Sequence, residues 1–115
     1  MGRYSLKRYS ERTEINMIKE TFIYAVVGED KLDFEIKCKG INPIDAFLTG
    51  LRRYMWIKVD IFMHEERALI SGNDPQALAC IGLRHGARTA YGIGMDSNKG
   101  RASIKALLNA LNKIL

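Results

Sequence analysis

Gly40-Ile41-Asn42-Pro43-Ile44-Asp45-Ala46-Phe47-Leu48-Thr49-Gly50-Leu51 is the stretch from which the fold of this chain can be read. Asn42 is a natural N-cap, Pro43 fits the first helical position, where a missing N–H costs nothing, and Asp45 puts a negative charge in the first turn. Behind the cap, Ile44, Phe47, Leu48, Leu51, Tyr54 and Met55 recur at the i, i+3, i+4, i+7 spacing of an amphipathic helix. Upstream the period changes to two. Phe22, Tyr24 and Val26 alternate along one segment, Leu32, Phe34, Ile36 and Cys38 along another, and Gly28-Glu29-Asp30 lies between them. That pattern predicts a β-hairpin leading into the helix.

The order then repeats. Ile57, Val59, Ile61 and Met63 alternate as a strand, and Ser71-Gly72-Asn73-Asp74-Pro75 turns the chain. A second hairpin begins with Ala77 to Leu83, turns near Gly86 and returns through Tyr91, Ile93 and Met95. A helix follows from about Lys99, capped by Asn98 or Ser97, with Ile104, Leu107, Leu108, Leu111, Ile114 and Leu115 as its stripe. Sliding the chain by 56 residues lays Asn42 on Asn98, Ala46 on Ala102, Leu48 on Ile104, Leu51 on Leu107 and Met55 on Leu111, and Tyr4 to Arg12 on Asp60 to Ala68. The expected fold is α+β: two pseudo-repeated β-β-β-α units, residues 1–56 and 57–115, packed as one layered domain. One helix covers a three-stranded sheet incompletely, so pairing of units and a homodimer are the economical ways to bury the remainder.

Size and composition agree with one domain. The chain has 115 residues, 47% hydrophobic and 27% charged, and a chain of this length buries roughly two thirds of its unfolded surface without staples. Cys38 and Cys80 stand among apolar neighbours without CxxC spacing and are expected as buried reduced thiols. No apolar run approaches the ~18 residues of a membrane span, and the polar first residues do not read as a signal peptide. A cytoplasmic protein with no membrane partner is the expectation. The net charge of +5 is uneven: up to Glu66 there are 11 basic and 11 acidic residues, whereas Arg67, Arg84, Arg88, Lys99, Arg101, Lys105 and Lys113 face only Asp74 and Asp96. Either a solvated face or an anion site accounts for that excess.

Catalytic patterns are scarce. His64 and His85 form no HExxH or HxH motif, and no acidic cluster has metal-ligand spacing, so no metal is expected in this domain. Glu65 and Glu66 are neighbours on a strand and point to opposite faces. The serines lack a nucleophile-elbow setting, and neither cysteine is expected to have a basic neighbour arranged to activate it. The glycine-rich Gly92-Ile93-Gly94-Met95-Asp96-Ser97-Asn98-Lys99-Gly100 leads a strand into a helix without matching the dinucleotide fingerprint. Helix N-termini present unpaired N–H groups and a partial positive charge, suited to a carboxylate or phosphate. Gly40 to Asp45 is the matching feature of the first half.

Ser71 to Ala77, Leu83-Arg84, Gly86-Ala87-Arg88-Thr89, Gly92 to Asp96, Ala102-Ser103-Ile104-Lys105-Ala106 and Asn112 together resemble the C-terminal regulatory domain of the 2-isopropylmalate synthases. Gly40 to Phe47 and Glu66-Arg67-Ala68 are similar to that family's first-half motif and interdomain strand. The resemblance is specific from Gly40 to Leu115, and citramalate synthases share the domain. It implies a dimer of paired β-β-β-α units appended to a metal-dependent TIM barrel that condenses acetyl-CoA with 2-oxoisovalerate. The divalent metal and acetyl-CoA belong to that barrel, so no cofactor is implied for this domain and the condensation is not expected of this chain alone. The domain itself is implied to sense an end product, leucine, or isoleucine in citramalate synthases, near the dimer interface. Carried over by motif, the effector site falls on Gly40, Asn42, Pro43, Ile44, Asp45 and Ala46, on Ile61, His64 and Ala68, and on Gly94, Met95, Asp96, Ser97 and Asn98. Helix N-termini suit the effector's carboxylate, Asp45 or Asp96 its ammonium, and Ile44, Ile61 and Met95 its side chain.

Lys99, Gly100 and His64 depart from the family pattern, which leaves a second reading: a purely structural dimerisation domain. A third reading compares three strands and a helix opening Asn98-Lys99-Gly100-Arg101 with a double-stranded-RNA module. Nucleic acid is disfavoured, because such a module explains neither the neutral first half nor the repeat.

Overall fold

The computed structural model describes residues 3–115. Its order is β1 (Tyr4–Ile15), β2 (Lys19–Glu29), β3 (Leu32–Gly40), α1 (Pro43–Met55), β4 (Asp60–Ser71), β5 (Asp74–His85), β6 (Arg88–Asp96) and α2 (Lys99–Ile114). Two antiparallel sheets of three strands, ordered β1-β2-β3 and β4-β5-β6, are each followed by a helix. The expected α+β class and the doubled β-β-β-α order are both present. Two compact units result: Leu6–Ile57, and Lys58–Leu115 together with the start of β1. That start is held by a two-way clasp, in which the Tyr4 N–H donates to Asn112 Oδ1 at 2.7 Å and Asn112 Nδ2 donates to the Tyr4 carbonyl at 2.9 Å.

In the first unit β2 and β3 pair from Thr21 opposite Gly40 to Glu29 opposite Leu32. The tight turn between them places Asp30 at φ 55, and Gly86, one repeat later, turns the second hairpin at φ 62. Thr21, Ile23, Ala25 and Val27 from β2 and Phe34 and Ile36 from β3 are buried with Ile44, Ala46, Phe47, Leu48 and Leu51 of α1. The alternating set Phe22, Tyr24 and Val26 is therefore the half-exposed face. β2 is apolar on both faces from Phe22 to Val27, and it is the helix that selects which face becomes the core. Tyr54, expected in the helix stripe, is half-exposed and stacks on Phe34 with ring centroids 3.9 Å apart. Leu32 lies outside the core.

The second unit buries Ala77, Ala79, Ile81 and Leu83 of β5 against Ala102, Ile104, Ala106, Leu107, Leu108, Ala110, Leu111 and Ile114 of α2. Tyr91, Ile93 and Met95, through which the hairpin returns, lie on the open side of β6, and Gly92 and Gly94 face the helix. Close approach explains this. A methyl group on Gly92 would strike α2 backbone at Ala106 and Ala110, and one on Gly94 would strike it at Ala102 and Ala106. A register shift between Ile61 and Met63 takes Phe62 out of the simple alternation. Asn98, not Ser97, is the cap, and Leu115 lies beyond the helix, partly exposed. No helix among the described residues is long and apolar enough to cross a membrane.

Candidate functional site

Each strand-to-helix junction is built by its cap. At the first, Asn42 Oδ1 accepts from the Asp45 N–H at 2.8 Å, while Asp45 Oδ2 accepts from the Ile41 N–H at 3.0 Å. The pair resembles a capping box, except that the aspartate reaches back to the N–H of the residue before the cap. Gly40 makes it fit, because a side chain there would collide with the Asp45 carboxylate and with the backbone of Ala46. Pro43 brings no N–H and the Asp45 N–H is capped, so the first turn of α1 offers a ligand the Ile44 N–H and a carboxylate.

At the second junction Asn98 Oδ1 accepts from the Arg101 N–H at 2.9 Å. Asp96 occupies the position of Gly40 and Arg101 that of Asp45, so the charges are exchanged. Asp96 Oδ1 accepts from the Asn98 N–H at 3.0 Å, and its Oδ2 pairs with Lys105 Nζ at 2.8 Å and Arg101 Nε at 3.3 Å. Desolvation pushes the Asp96 carboxyl upward, but the hydrogen bonds from Lys105 and the Asn98 backbone, with both cations, hold it below the ordinary carboxylate value. This acid is already neutralised. The Lys99 and Gly100 N–H groups, at the first two helical positions, remain for a ligand or water.

The remaining candidates from the sequence lie along β4. Ala68 pairs with Ala77, which pairs with Asp96, so it is level with the second junction. His64 lies level with Ile81 and Gly92, two rows farther along. Its Nε2 is 2.9 Å from Ser103 Oγ, which donates to Glu66 Oε2 at 2.8 Å. Since the serine proton goes to Glu66, the imidazole donates from Nε2. Ile61 lies level with Leu83 and Ala90, at the opposite end. Seven residues of strand separate Ile61 from Ala68, roughly 23 Å, so one small molecule does not touch both. Glu65 and Glu66 do point to opposite faces, as expected.

Two features were missed by the sequence reading. Ser103 is 1% exposed in the middle of an apolar helix face, and its polar partners could have been sought because the residue one repeat earlier, Phe47, is core. Arg53 Nη1 lies 3.9 Å from Cys38 Sγ, a basic neighbour 15 residues away in sequence, and both thiols are half-buried, not buried. Much of the positive excess of the second half is spent internally. Arg101 and Lys105 hold Asp96, and Lys105 and Lys113 also donate to the Met95 and Tyr91 carbonyls.

An α+β module made by duplicating a β-β-β-α unit, with a capped helix N-terminus in each copy, is the class that these features define. The profile described as the LeuA allosteric (dimerisation) domain matches residues 2–115, and the chain belongs to that family. Relatives include the 2-isopropylmalate synthase of Pseudomonas putida (strain GB-1), 37% identical over 91 residues, covering 78% of this chain and 16% of the relative. The 2-isopropylmalate synthase of Arthrobacter sp. (strain FB24) is 31% identical over 114 residues, covering 99% of this chain and 19% of the relative. That of Brucella suis biovar 1 (strain 1330) is 29% identical over 91 residues, 79% of this chain and 16% of the relative. The chain thus spans less than a fifth of the length of these enzymes.

Proposed function

We propose that this chain is the regulatory and dimerisation domain of a 2-isopropylmalate synthase, and that it binds a branched-chain amino acid, leucine first, as a feedback effector. Family membership over residues 2–115 carries the reading. The chemistry of the junctions supports it. An amino acid presents a carboxylate, an ammonium and an apolar side chain. The α2 junction, with open N–H groups at Lys99 and Gly100, suits the carboxylate end. The α1 junction, where Asp45 is bonded to a backbone N–H, suits an ammonium better than Asp96, which already holds two cations. Each unit offers its own candidate residues: Gly40, Asn42, Pro43, Ile44, Asp45 and Ala46 in the first, and Ala68, Gly94, Met95, Asp96, Ser97 and Asn98 in the second, with His64 two rows along β4 from Ala68 and Ile61 at the other end of that strand. Condensation of acetyl-CoA with a 2-oxo acid, and the metal it uses, belong to a catalytic barrel of the same enzyme. Inhibition follows if the effector favours one of two quaternary states, an effect typically of ~1–3 kcal/mol.

Calorimetric titration with leucine, isoleucine and valine is the test. Saturable heat with leucine, reduced at least tenfold in affinity by Asp45→Asn, is the expected result. Isoleucine binding in preference to leucine would move the chain to the citramalate synthase reading, and a dimer that ignores all three at millimolar concentration would leave only the structural role.

A further inference from the structure

On the second sheet the helix is seated off centre. α2 packs over β5 and β6, closest where Gly92 and Gly94 admit its backbone, and the helix-facing side of β4 is left open. His64, Glu66 and Ala68 alternate along that side, and none of them is buried. The pairing register sets them in rows: Ala68 with Ala77 and Asp96, Glu66 with Ala79 and Gly94, His64 with Ile81 and Gly92. Glu66 therefore stands between two candidate residues and one row from the α2 junction, although the sequence reading assigned it no ligand.

The two acids of this region are in opposite states. Asp96 is already held by Lys105 and Arg101. Glu66 has only two side-chain partners among the described residues. The Ser103 hydroxyl donates to its Oε2 at 2.8 Å, and His64 Nε2 lies 3.9 Å from the same oxygen. The His64 Nε2 proton goes to Ser103, at 2.9 Å, so it does not neutralise the carboxylate. Oε1 is left without a partner, on a side chain about one third exposed. Ser103 is itself 1% exposed on a packed helix, so one oxygen of Glu66 is anchored while the other is free, and the group is aimed before any ligand arrives. Preorganisation of this kind lowers the cost of binding. His64 Nδ1 also has no partner among the described residues, and with the proton on Nε2 it is an acceptor in the neutral ring.

Resting on the effector reading above, we propose that Glu66 takes the effector's ammonium in the second unit, with Ser103 as its positioning residue and His64 Nδ1 as a further acceptor. An ammonium carries three N–H donors, enough for a carboxylate oxygen and an imidazole nitrogen together. Hydrogen bonds between two charged groups are roughly twice as strong as neutral ones. The effector's carboxylate is read above at the Lys99 and Gly100 N–H groups, which lie one helical turn before Ser103, so both ends of an α-amino acid find partners within one unit. A ligand lacking the ammonium leaves Glu66 unpaired beside it and is selected against.

The chain is titrated with leucine and with 4-methylpentanoate, which has the same carboxylate and carbon skeleton but no ammonium, while the amide shifts of Gly94 to Gly100 are followed. The wild type is expected to bind leucine at least tenfold more tightly than the analogue. Glu66→Gln keeps an oxygen for Ser103 and removes the charge; it should weaken leucine at least tenfold and change the analogue less than twofold. Ser103→Ala keeps the charge and removes its anchor; it should weaken leucine several-fold and again spare the analogue. Leucine binding unchanged by Glu66→Gln would overturn the assignment and leave the effector reading standing, and so would an equal loss of both ligands. An analogue that binds the wild type as tightly as leucine would do the same. No binding of leucine, isoleucine or valine at millimolar concentration would overturn the effector reading and this subsite together.

Discussion

The same frame packs its helix onto its sheet in two opposite ways. In the first unit Gly50 lies on the helix, where a methyl group would meet the Ile36 side chain, so a thin helix receives a bulky strand. One repeat later the glycines are on the strand: Gly92 and Gly94 stand where Ile36 and Cys38 were, and Ala106 where Gly50 was, so a thin strand receives the helix backbone. The exchange extends to polarity. Phe47, fully buried, has as its counterpart Ser103, held by His64 and Glu66. Duplicated units thus preserve the close approach of helix and strand rather than residue identity, and the second has a polar link between α2 and β4 where the first has a buried aromatic ring.

Breaking this comparison is straightforward. Phe47→Ala removes a fully buried aromatic and is expected to cost about 3–5 kcal/mol in urea denaturation. Gly94→Val drives a branched side chain into the α2 backbone and should cost about 3 kcal/mol, whereas Gly50→Ala presses on the γ2 methyl of the buried, β-branched Ile36, so overpacking of about 1–3 kcal/mol should be only partly offset by regained helix propensity. Ser103→Ala deletes two hydrogen bonds, but Glu66 and His64 are about one third exposed and can turn to water, which limits the loss to about 1–2 kcal/mol. Asp96→Asn should cost about 1–2 kcal/mol at neutral pH. The Asp96 carboxyl is held below its ordinary value of 3.8 in the fold, so its contribution is present above pH 3.8 and fades as pH falls through the folded value. Wild type and variant should therefore converge in acid, which a pH series of thermal melts would reveal. Smallest and opposite in sign, Trp56→Gly should stabilise by about 1 kcal/mol, since Trp56 ends α1 at φ 55, where glycine is unstrained.

The repeat and its helix starts were legible because they depend on local chemistry. Asn42 with Pro43, and Asn98 one frame later, announce the caps wherever the chain goes. Which face of each sheet is core was not legible from β2 or β6. From Phe22 to Val27 both faces are apolar, and in β6 the residues against the helix are glycines, which carry no hydrophobic signal at all. Of the candidate site, the junctions were readable but their charge states were not. Asp96 looked like an open acid until Lys105, nine residues on, was seen to close on it across the strand-to-helix turn. The likeness of the two halves also concealed the exchange of Gly40 and Asp45 for Asp96 and Arg101, which makes the two helix starts chemically unequal.

That inequality is where the account is most exposed. A backbone amide NMR titration of the chain with leucine reads both junctions at once. The account predicts saturable shifts at Gly40 to Ala46 and at Gly94 to Gly100, with little change at Gly72 or Asp30 in the hairpin turns. No movement at either junction at millimolar leucine, isoleucine or valine would contradict it.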